Sequence, residues 1–237
     1  MLASAQYGYA NGTRSQVAFP PVMLPPVLQE HLLAPIAPQA TTLHADRDEE
    51  IISQGDAAEY CYEVVSGCVR TVRLLEDGRR QVGEFLLAGD IFGWDTTDEY
   101  EFGAEAVTGV TLRRVRLSAI EDRASRDLGF AQRLRAFSTA QVRLARGRLV
   151  LLGRKTASER VASFLLEMAD RLRVCGAPVM ELPMNRGDIA DYLGLTIETV
   201  CRELTDLRHQ GTIGVERARI TILDRRALAR AGSDRVH

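Results

Sequence analysis

The pattern of apolar and polar residues changes near residue 118. Before that point, from about 41 to 117, short apolar or alternating runs such as CVRTVRL lie between turns that contain Gly or Asp. An Asp77-Gly78 turn with apolar residues on both sides is typical of a β-hairpin. Several short strands at this spacing predict a β-sandwich or a barrel over this part of the chain.

From residue 118 the apolar residues recur with the period of a helix. Ser118 is a residue type preferred at an N-cap, so it is predicted to begin a short helix. The run from Asp127 to about Leu152 contains no proline and predicts a long helix. Its apolar residues lie at the spacing of a coiled-coil stripe: Phe130, Leu134, Phe137, Leu144 and Leu151.

A single apolar stripe on a long helix needs a surface to cover it. The simplest partner is a second copy of the chain, which gives a homodimer through a coiled coil. The predicted dimerisation residues are Phe130, Leu134, Phe137, Gln141 and Leu144. The alternative is that the stripe packs on the β domain of its own chain.

The last third of the chain predicts a helix-turn-helix. An amphipathic helix over about 156–173 and a hairpin or extended turn over 174–184 precede it. Within 185–213, two short helices are separated by Gly194, a residue suited to left-handed backbone. Thr196 can cap the second helix, and the alternating segments that follow predict a two-stranded wing.

One face of the second helix carries polar side chains that can read DNA. Glu198, Cys201 and Arg202 share this face near the N-terminal end, which in a recognition helix reaches base edges in the major groove. Arginine can donate two hydrogen bonds to guanine, and glutamate can accept one from cytosine. The alternative is that Glu198 and Arg202 form an exposed i,i+4 ion pair and nothing more. The candidates for phosphate contacts, at or near helix N-termini, are Arg186, Thr196 and Thr199.

Composition narrows the class of protein. The 237 residues are 46% hydrophobic and 26% charged, and no apolar stretch approaches the roughly 18–20 residues that span a bilayer. Residues 1–40 are rich in Ala, Pro, Gly and Gln and predict an irregular arm with one short helix around Leu28–Leu33, without the pattern of a secretory signal. Four cysteines without a C-x-x-C pair argue against a disulfide scaffold or a zinc site, so a cytoplasmic protein is expected. Residues from 150 onward are mildly basic, which favours a polyanionic partner.

The order of β domain, long helix and helix-turn-helix resembles that of the CRP/FNR family of transcription regulators. The segment RGDIADYLGLTIETVCREL at 186–204 is similar to the family's DNA-binding signature, and GDIFG at 89–93 is similar to a turn in its effector domain. The resemblance covers about residues 41–230. It implies an α+β fold in four parts: an irregular arm (1–40), an antiparallel β-roll of the cyclic-nucleotide-binding jelly-roll type (41–117), a short helix plus a long dimerisation helix (118–153), and a winged helix-turn-helix DNA-binding domain (154–237).

The resemblance also implies roles for residues. Arg186 would contact phosphate, Thr196 would help to cap and anchor the recognition helix, and Glu198 and Arg202 would read bases. CRP itself carries an Arg where this chain has Ile197, and the E-x-x-[SC]-R form resembles the FNR/FixK branch. That branch implies TTGAT-type half-sites in an inverted repeat of double-stranded DNA, with RNA polymerase as a further partner. It also implies control of genes for low-oxygen respiration, nitrogen fixation or denitrification.

No cofactor is expected in the predicted roll. Cyclic-nucleotide members of the family hold the phosphate with an Arg-Ser pair, where this chain has Tyr100-Glu101. Iron–sulfur members use cysteines in the N-terminal arm, yet residues 1–60 contain none. Trp94 and Tyr100 are candidates for filling the roll. The resemblance then implies a FixK-like regulator without a small-molecule effector. The alternative is a regulator gated by an unidentified small molecule or by haem, for which His44 is one potential ligand.

Cys201 introduces a redox hypothesis. Oxidation to a sulfinate or sulfonate would place negative charge against DNA phosphate, so Cys201 is predicted to make DNA binding sensitive to peroxide. The alternative is that Cys201 is a small side chain that fits the groove. Cys61, Cys68 and Cys175 are expected to fill the core or surface.

Other functional classes explain the sequence less well. An enzyme of the cupin type would need clustered histidines and carboxylates as metal ligands, whereas the four histidines are scattered along the chain, so neither a metal site nor an enzyme is expected. A nucleotide-binding regulatory module would lack its phosphate arginine and leave the helix-turn-helix unexplained. We predict an activator, although the sequence does not separate activators from repressors.

Overall fold

A computed structural model of the protein describes residues 32–94, 98–172 and 179–233. A 3-10 helix (Ala34–Gln39) precedes the strands of the N-terminal roll: β1 (Thr41–Ala45), β2 (Glu50–Ile52), β3 (Tyr60–Ser66), β4 (Cys68–Leu74), β5 (Arg80–Leu87), β6 (Ile91–Phe92), β7 (Gly103–Ala106) and β8 (Val110–Arg116). Two helices follow, α1 (Leu117–Arg126) and the long α2 (Leu128–Arg154). The C-terminal unit, defined here as residues 157–172 and 179–233, contains α3 (Ala157–Arg171), β9 (Val179–Glu181), α4 (Arg186–Leu193), α5 (Ile197–His209), β10 (Ile213–Glu216), β11 (Arg219–Ile222) and α6 (Arg225–Gly232).

The roll consists of two antiparallel four-stranded sheets, ordered β1-β8-β3-β6 and β2-β7-β4-β5. Successive side chains of a strand alternate between its faces, so Tyr62 and Val64 of β3 pack inside the roll while Cys61 packs on the outside against the helices. The Asp77-Gly78 turn joins β4 to β5, as predicted. The interior is filled by Ile52, Tyr62, Val64, Val69, Leu86, Phe92, Tyr100, Ala104, Ala106, Val110 and Leu112. The predicted roll is confirmed.

The helices that follow the roll begin close to their predicted positions. The prediction that Ser118 caps the first helix is wrong: Arg116 occupies the N-cap of α1 and makes no side-chain capping bond. The backbone N–H of Leu117 instead donates to the carbonyl of Glu59, so strand β8 leads directly into the helix. Asp127 caps α2, and its carboxylate accepts a backbone N–H of the first turn.

The described end of the N-terminal arm is ordered. The 3-10 helix buries Ile36, and Leu32 and Leu33 before it are also buried. These side chains join the cluster between the outer face of the roll and helices α1 and α2. The helix predicted around Leu28–Leu33 lies mostly outside the described residues.

The apolar stripe on α2 faces the domains of its own chain. Phe130 and Phe137 are only 0% and 1% exposed, and they pack with Leu134 against α1 and the outer face of the roll. The prediction that places these two rings in a dimer seam therefore needs correction, because a partner chain cannot reach them. The outer face of the β1-β8-β3-β6 sheet is apolar at Cys61 and Val115, and the stripe covers it. Gln141 and Leu144 are half-buried, and dimerisation itself stays a prediction.

The C-terminal unit contains a helix-turn-helix and a three-stranded sheet. Thr156 and Glu159 form a capping box at the start of α3, close to the predicted boundary. Strands β10 and β11 form the predicted wing, and β9 pairs with β11 as a third strand. A hairpin or extended turn was the expectation for 174–184, of which residues 174–178 lie outside the described part.

The roll and the C-terminal unit share one apolar core. Cys68, Val82, Phe85 and Val107 of the roll belong to the same buried cluster as the apolar faces of helices α3, α4 and α5. The ring of Phe85 on β5 lies 6.3 Å from that of Phe164 on α3, between centroids. Because the helices pack on the roll through this core, the opposite side of the helix-turn-helix is turned away from the roll.

Candidate nucleic-acid interface

The turn between α4 and α5 is built by local backbone chemistry. Asn185 caps α4 by accepting the N–H of Asp188 at 2.9 Å, and the Asp188 carboxylate accepts the N–H of Asn185 in return. Gly194 ends the helix with φ 60° and ψ 44°, the left-handed conformation predicted for it. The N–H of Leu195 then donates to the carbonyl of Ala190, which closes the turn.

Helix α5 presents one apolar and one polar face. Thr196 caps it by accepting the N–H of Thr199 at 3.2 Å, and the two hydroxyl oxygens lie 3.1 Å apart. The buried face packs on the other helices through Val200, Leu204 and Leu207. On the other face, the three side chains predicted to read bases are all exposed: Glu198, Cys201 and Arg202. The structure thus brings the predicted base-reading residues together on the accessible face.

The charges on this face are available to a partner. Hydrogen bonds from its own backbone N–H and from the Thr196 side chain lower the pKa of Glu198, so its carboxylate is ionised. The Arg202 side chain is 65% exposed, and its guanidinium lies 3.5 Å from the carboxylate of Glu203. The ion pair in the structure therefore joins Arg202 to the adjacent Glu203, whereas the alternative drawn from the sequence pairs Arg202 with Glu198. Because the Arg202 guanidinium is itself at the surface, it stays accessible to a ligand.

Arg186 lies at the first turn of α4, beside the recognition helix and the wing. Its guanidinium donates to the carbonyl of Arg217 at the tip of the wing, at 3.2 Å. Burial lowers the pKa of Arg186, and the nearby Cys201 thiol acts in the opposite direction. The predicted phosphate contact and the predicted redox-sensitive thiol are thus within electrostatic range of each other.

Two further features of this surface escaped the sequence analysis. Ile197, in the first turn of α5, is 50% exposed although apolar, and an exposed methyl group can contact the methyl of thymine. Arg217 has a positive φ of 56° at the wing tip, next to the exposed Arg219. The run ERAR between two alternating segments was the available signal for a basic wing.

Large aromatic side chains fill much of the interior of the roll. Tyr100, one of the two candidate fillers, is buried there, and its hydroxyl donates to the carbonyl of Tyr60 at 2.7 Å. Tyr62 stacks on Phe92 with ring centroids 5.1 Å apart. These rings occupy much of the interior. Tyr100 and Glu101 also line a cavity together with Arg73. Trp94, the other candidate, packs on the outer cluster beside the helices instead.

Of the described cysteines, only Cys201 is accessible. Burial raises the pKa of the Cys61 and Cys68 thiols to about 12, which makes both unreactive. Among the described residues, no group of three or more His, Cys, Asp or Glu side chains is arranged to hold a metal ion. The described helices include none that is long and apolar enough to cross a membrane. Cys175 lies outside the described part of the chain.

Comparison with known proteins identifies the family to which this architecture belongs. A model of the Crp-like helix-turn-helix domain matches residues 159–231, and a model of the cyclic nucleotide-binding domain matches residues 42–127. The nitrogen fixation regulation protein FixK of Azorhizobium caulinodans is 49% identical over 191 residues, which cover 79% of this chain and 77% of the relative. The chain belongs to the CRP/FNR family of transcription regulators.

The regulator is of the FixK type. Its structure is similar to that of FixK2 from Bradyrhizobium japonicum, with a TM-score of 0.79, 44% identity, and coverage of 83% of this chain and 99% of that one. It is also 34% identical to the transcriptional activator protein FnrL of Cereibacter sphaeroides, over 78% of each chain.

Proposed function

We propose that this regulator is a homodimeric transcription activator that binds a TTGAT-type inverted repeat without cyclic nucleotide or iron–sulfur cluster. It recruits RNA polymerase in the cytoplasm and controls genes for low-oxygen respiration, nitrogen fixation or denitrification. The observation that carries the proposal is the exposed face of α5, where Glu198, Cys201 and Arg202 lie together at the surface. Arg186 on α4 is within electrostatic range of Cys201. The names of two relatives support this proposal: one is a nitrogen fixation regulation protein, which supports the regulated process, and the other is a transcriptional activator, which supports activation rather than repression.

Each side chain of this face has a chemical task in a TTGAT half-site. Arg202 donates to O6 and N7 of the guanine. Glu198 accepts from N4 of the cytosine that pairs with this guanine on the complementary strand. Ile197 contacts a thymine methyl through its exposed side chain. Arg186, with Thr196 and Thr199, binds phosphate and fixes the register.

The dimer forms through a face of α2 that the chain itself leaves uncovered. Leu128, Val142 and Leu149 are 75%, 50% and 72% exposed. They share one position of a seven-residue repeat, with Arg135 between them, and residues at that interval lie along one seam of a coiled coil. A two-fold axis along this face places two recognition helices against half-sites about 34 Å apart.

The test is DNA binding by purified, reduced protein without any added ligand. Fluorescence anisotropy compares a TTGAT…ATCAA duplex with the same duplex after its half-sites are scrambled. Specific binding by the protein alone supports the proposal. Binding that requires a small molecule or haem would favour the alternative, an effector-gated regulator of the same family.

Arg202→Ala is expected to cost about 1–3 kcal/mol of binding free energy, roughly a 5- to 150-fold loss of affinity, and to relax discrimination at one base pair.

Arg186→Ala should instead weaken binding to all DNA sequences alike and make the affinity less dependent on salt concentration, because it removes a phosphate contact. Arg208→Ala, at the far end of α5, is the matched control for an exposed arginine on the same helix. Unchanged discrimination at every base pair in the Arg202→Ala protein would count against the assigned contact.

Hydrogen peroxide is expected to weaken DNA binding through Cys201. Two molecules of peroxide oxidise the thiol to a sulfinate and are reduced to water, and the new negative charge lies against phosphate and Arg186. Cys201→Ser should bind DNA and resist peroxide, while Cys175→Ser should remain sensitive. If Cys201→Ser lost binding as readily as the parent protein, the side chain would serve only to fit the groove.

A further inference from the structure

A buried carboxylate of the helix-turn-helix is held by two arginines of the roll. The Asp188 side chain on α4 is 1% exposed. Nη1 of Arg70 on β4 donates to both of its oxygens at 3.2 Å, and Nη2 of Arg80 on β5 donates to one of them at 2.8 Å. Asp188 therefore closes the capping box of α4 and joins that helix to the roll.

The roll orients these donors before they reach the helix. Glu105 on β7 accepts from Nε of Arg70 at 2.7 Å, which commits one edge of the guanidinium to the roll and leaves the other for Asp188. Arg80 also donates to the Asp191 carboxylate at 2.9 Å, and the Gln81 side chain donates to the Asp191 carbonyl at 2.5 Å. We call this network the interdomain latch: Arg70, Arg80, Gln81, Glu105, Asp188 and Asp191.

The latch favours one position of helix α4 against the roll over positions in which only some of its hydrogen bonds are made. A small displacement of α4 that admits no water would leave the buried Asp188 carboxylate without its two arginine donors, while Arg70 would keep its pair with Glu105 in the roll. Such a network is stable when all its members are paired and costly when some are not. The recognition face on α5 stays exposed while the latch is closed, so the latch does not cover the surface that would bind DNA.

We propose that the latch orients the recognition helix with respect to α2 and thereby sets the affinity for paired half-sites. Arg70 and Arg80 are positioning residues, since they act through Asp188 and belong to the roll. The inference rests on the proposed DNA binding and adds a task for the roll, which takes the place of an effector in holding the helix-turn-helix. A fixed orientation of the recognition helix in each protomer restricts the dimer to one half-site spacing. It also raises the affinity at that spacing, because the helix loses little conformational freedom on binding.

The experiment measures affinity against half-site spacing. The duplexes carry TTGAT and ATCAA separated by the preferred distance or by one or two base pairs more or fewer, and a further duplex carries one half-site. Arg70→Met keeps an apolar stem of similar length and removes the guanidinium. We expect Arg70→Met to bind the preferred duplex about tenfold more weakly and to lose most of the spacing preference, with single-half-site binding unchanged.

Two other variants complete the design. Arg113→Met is the matched control, because Arg113 on β8 pairs at 2.6 Å with Glu63 on the neighbouring strand of the roll and has no contact with the C-terminal unit among its ion pairs, and it should behave as wild type. Arg80→Gln is the second test variant, since Arg80 is 30% exposed and its loss is tolerated more easily if Arg70→Met does not fold. It should flatten the spacing preference in the same direction.

The outcomes separate the latch from the proposed function. If the wild-type protein does not distinguish TTGAT from scrambled duplexes, the proposed function fails and the inference falls with it. If the wild-type protein is specific and the folded latch variants keep its spacing preference, the latch alone is overturned. An equal loss on the single half-site would also overturn it, because the recognition surface itself would then be damaged.

Discussion

Phe85→Ala is expected to lower the free energy of unfolding by about 3–5 kcal/mol, the usual cost of deleting a fully buried phenylalanine ring. Phe85 is 1% exposed, and its ring lies 6.3 Å from that of Phe164 and 5.1 Å from that of Tyr192. The cavity would open between β5, α3 and α4, so neither the roll nor the C-terminal unit can close it alone. Urea denaturation followed by circular dichroism measures the loss.

The matched control for this prediction is Phe102→Ala. Phe102 is only partly buried, with the guanidinium of Arg73 over its ring at 5.8 Å. Its removal should cost less than about 1.5 kcal/mol, because less apolar surface returns to water. A loss in Phe85→Ala no larger than in the control would contradict the shared core.

The helix-turn-helix could be predicted because its signals are local. Gly194 ends α4 in the left-handed conformation, and Thr196 caps α5 two residues later. Both depend on backbone chemistry within a few residues, which the sequence displays directly. The exposed positions Glu198, Cys201 and Arg202 followed from helical periodicity once the apolar seam was assigned.

The surface that covers the long helix could not be predicted in the same way. Periodicity identifies an apolar face, but it does not say what covers that face. The stripe with Phe130 and Phe137 is covered by the chain's own roll, and the exposed apolar residues lie elsewhere on α2. The distinction depends on the shape of the roll, which the pairing of the distant strands β3 and β8 determines.

Long-range polar contacts were equally inaccessible to sequence analysis. Arg70 and Asp188 are 118 residues apart in the sequence. Arg70 is an ordinary strand residue, and Asp188 is an acidic residue in the first turn of a helix. Arg160 is similar: its guanidinium donates to the carbonyls of Leu152 and Leu193 and so joins the ends of α2 and α4. Each of these residues has an ordinary local role, and only the fold brings in its second partner.

Val142→Asp is expected to convert the dimer to monomer and to lower the affinity for the inverted repeat by about 10²- to 10⁴-fold, since the second half-site would no longer be bound by a tethered partner. Val142 is 50% exposed in the single chain, so the aspartate is tolerated by the protomer. Across the two-fold axis, however, it would bring two carboxylates together in an apolar seam, where burial and like charge both oppose association. Light scattering measures the mass, and anisotropy measures the affinity.

The control places an aspartate on the other side of the same helix. Arg133 precedes Val142 by nine residues, or about two and a half turns, so it lies on the opposite face, and it is exposed. Arg133→Asp should remain dimeric and bind the inverted repeat as wild type does. If Val142→Asp stayed dimeric while Arg133→Asp dissociated, the seam would lie on the other face of α2, and the seven-residue repeat of exposed apolar residues would need another explanation.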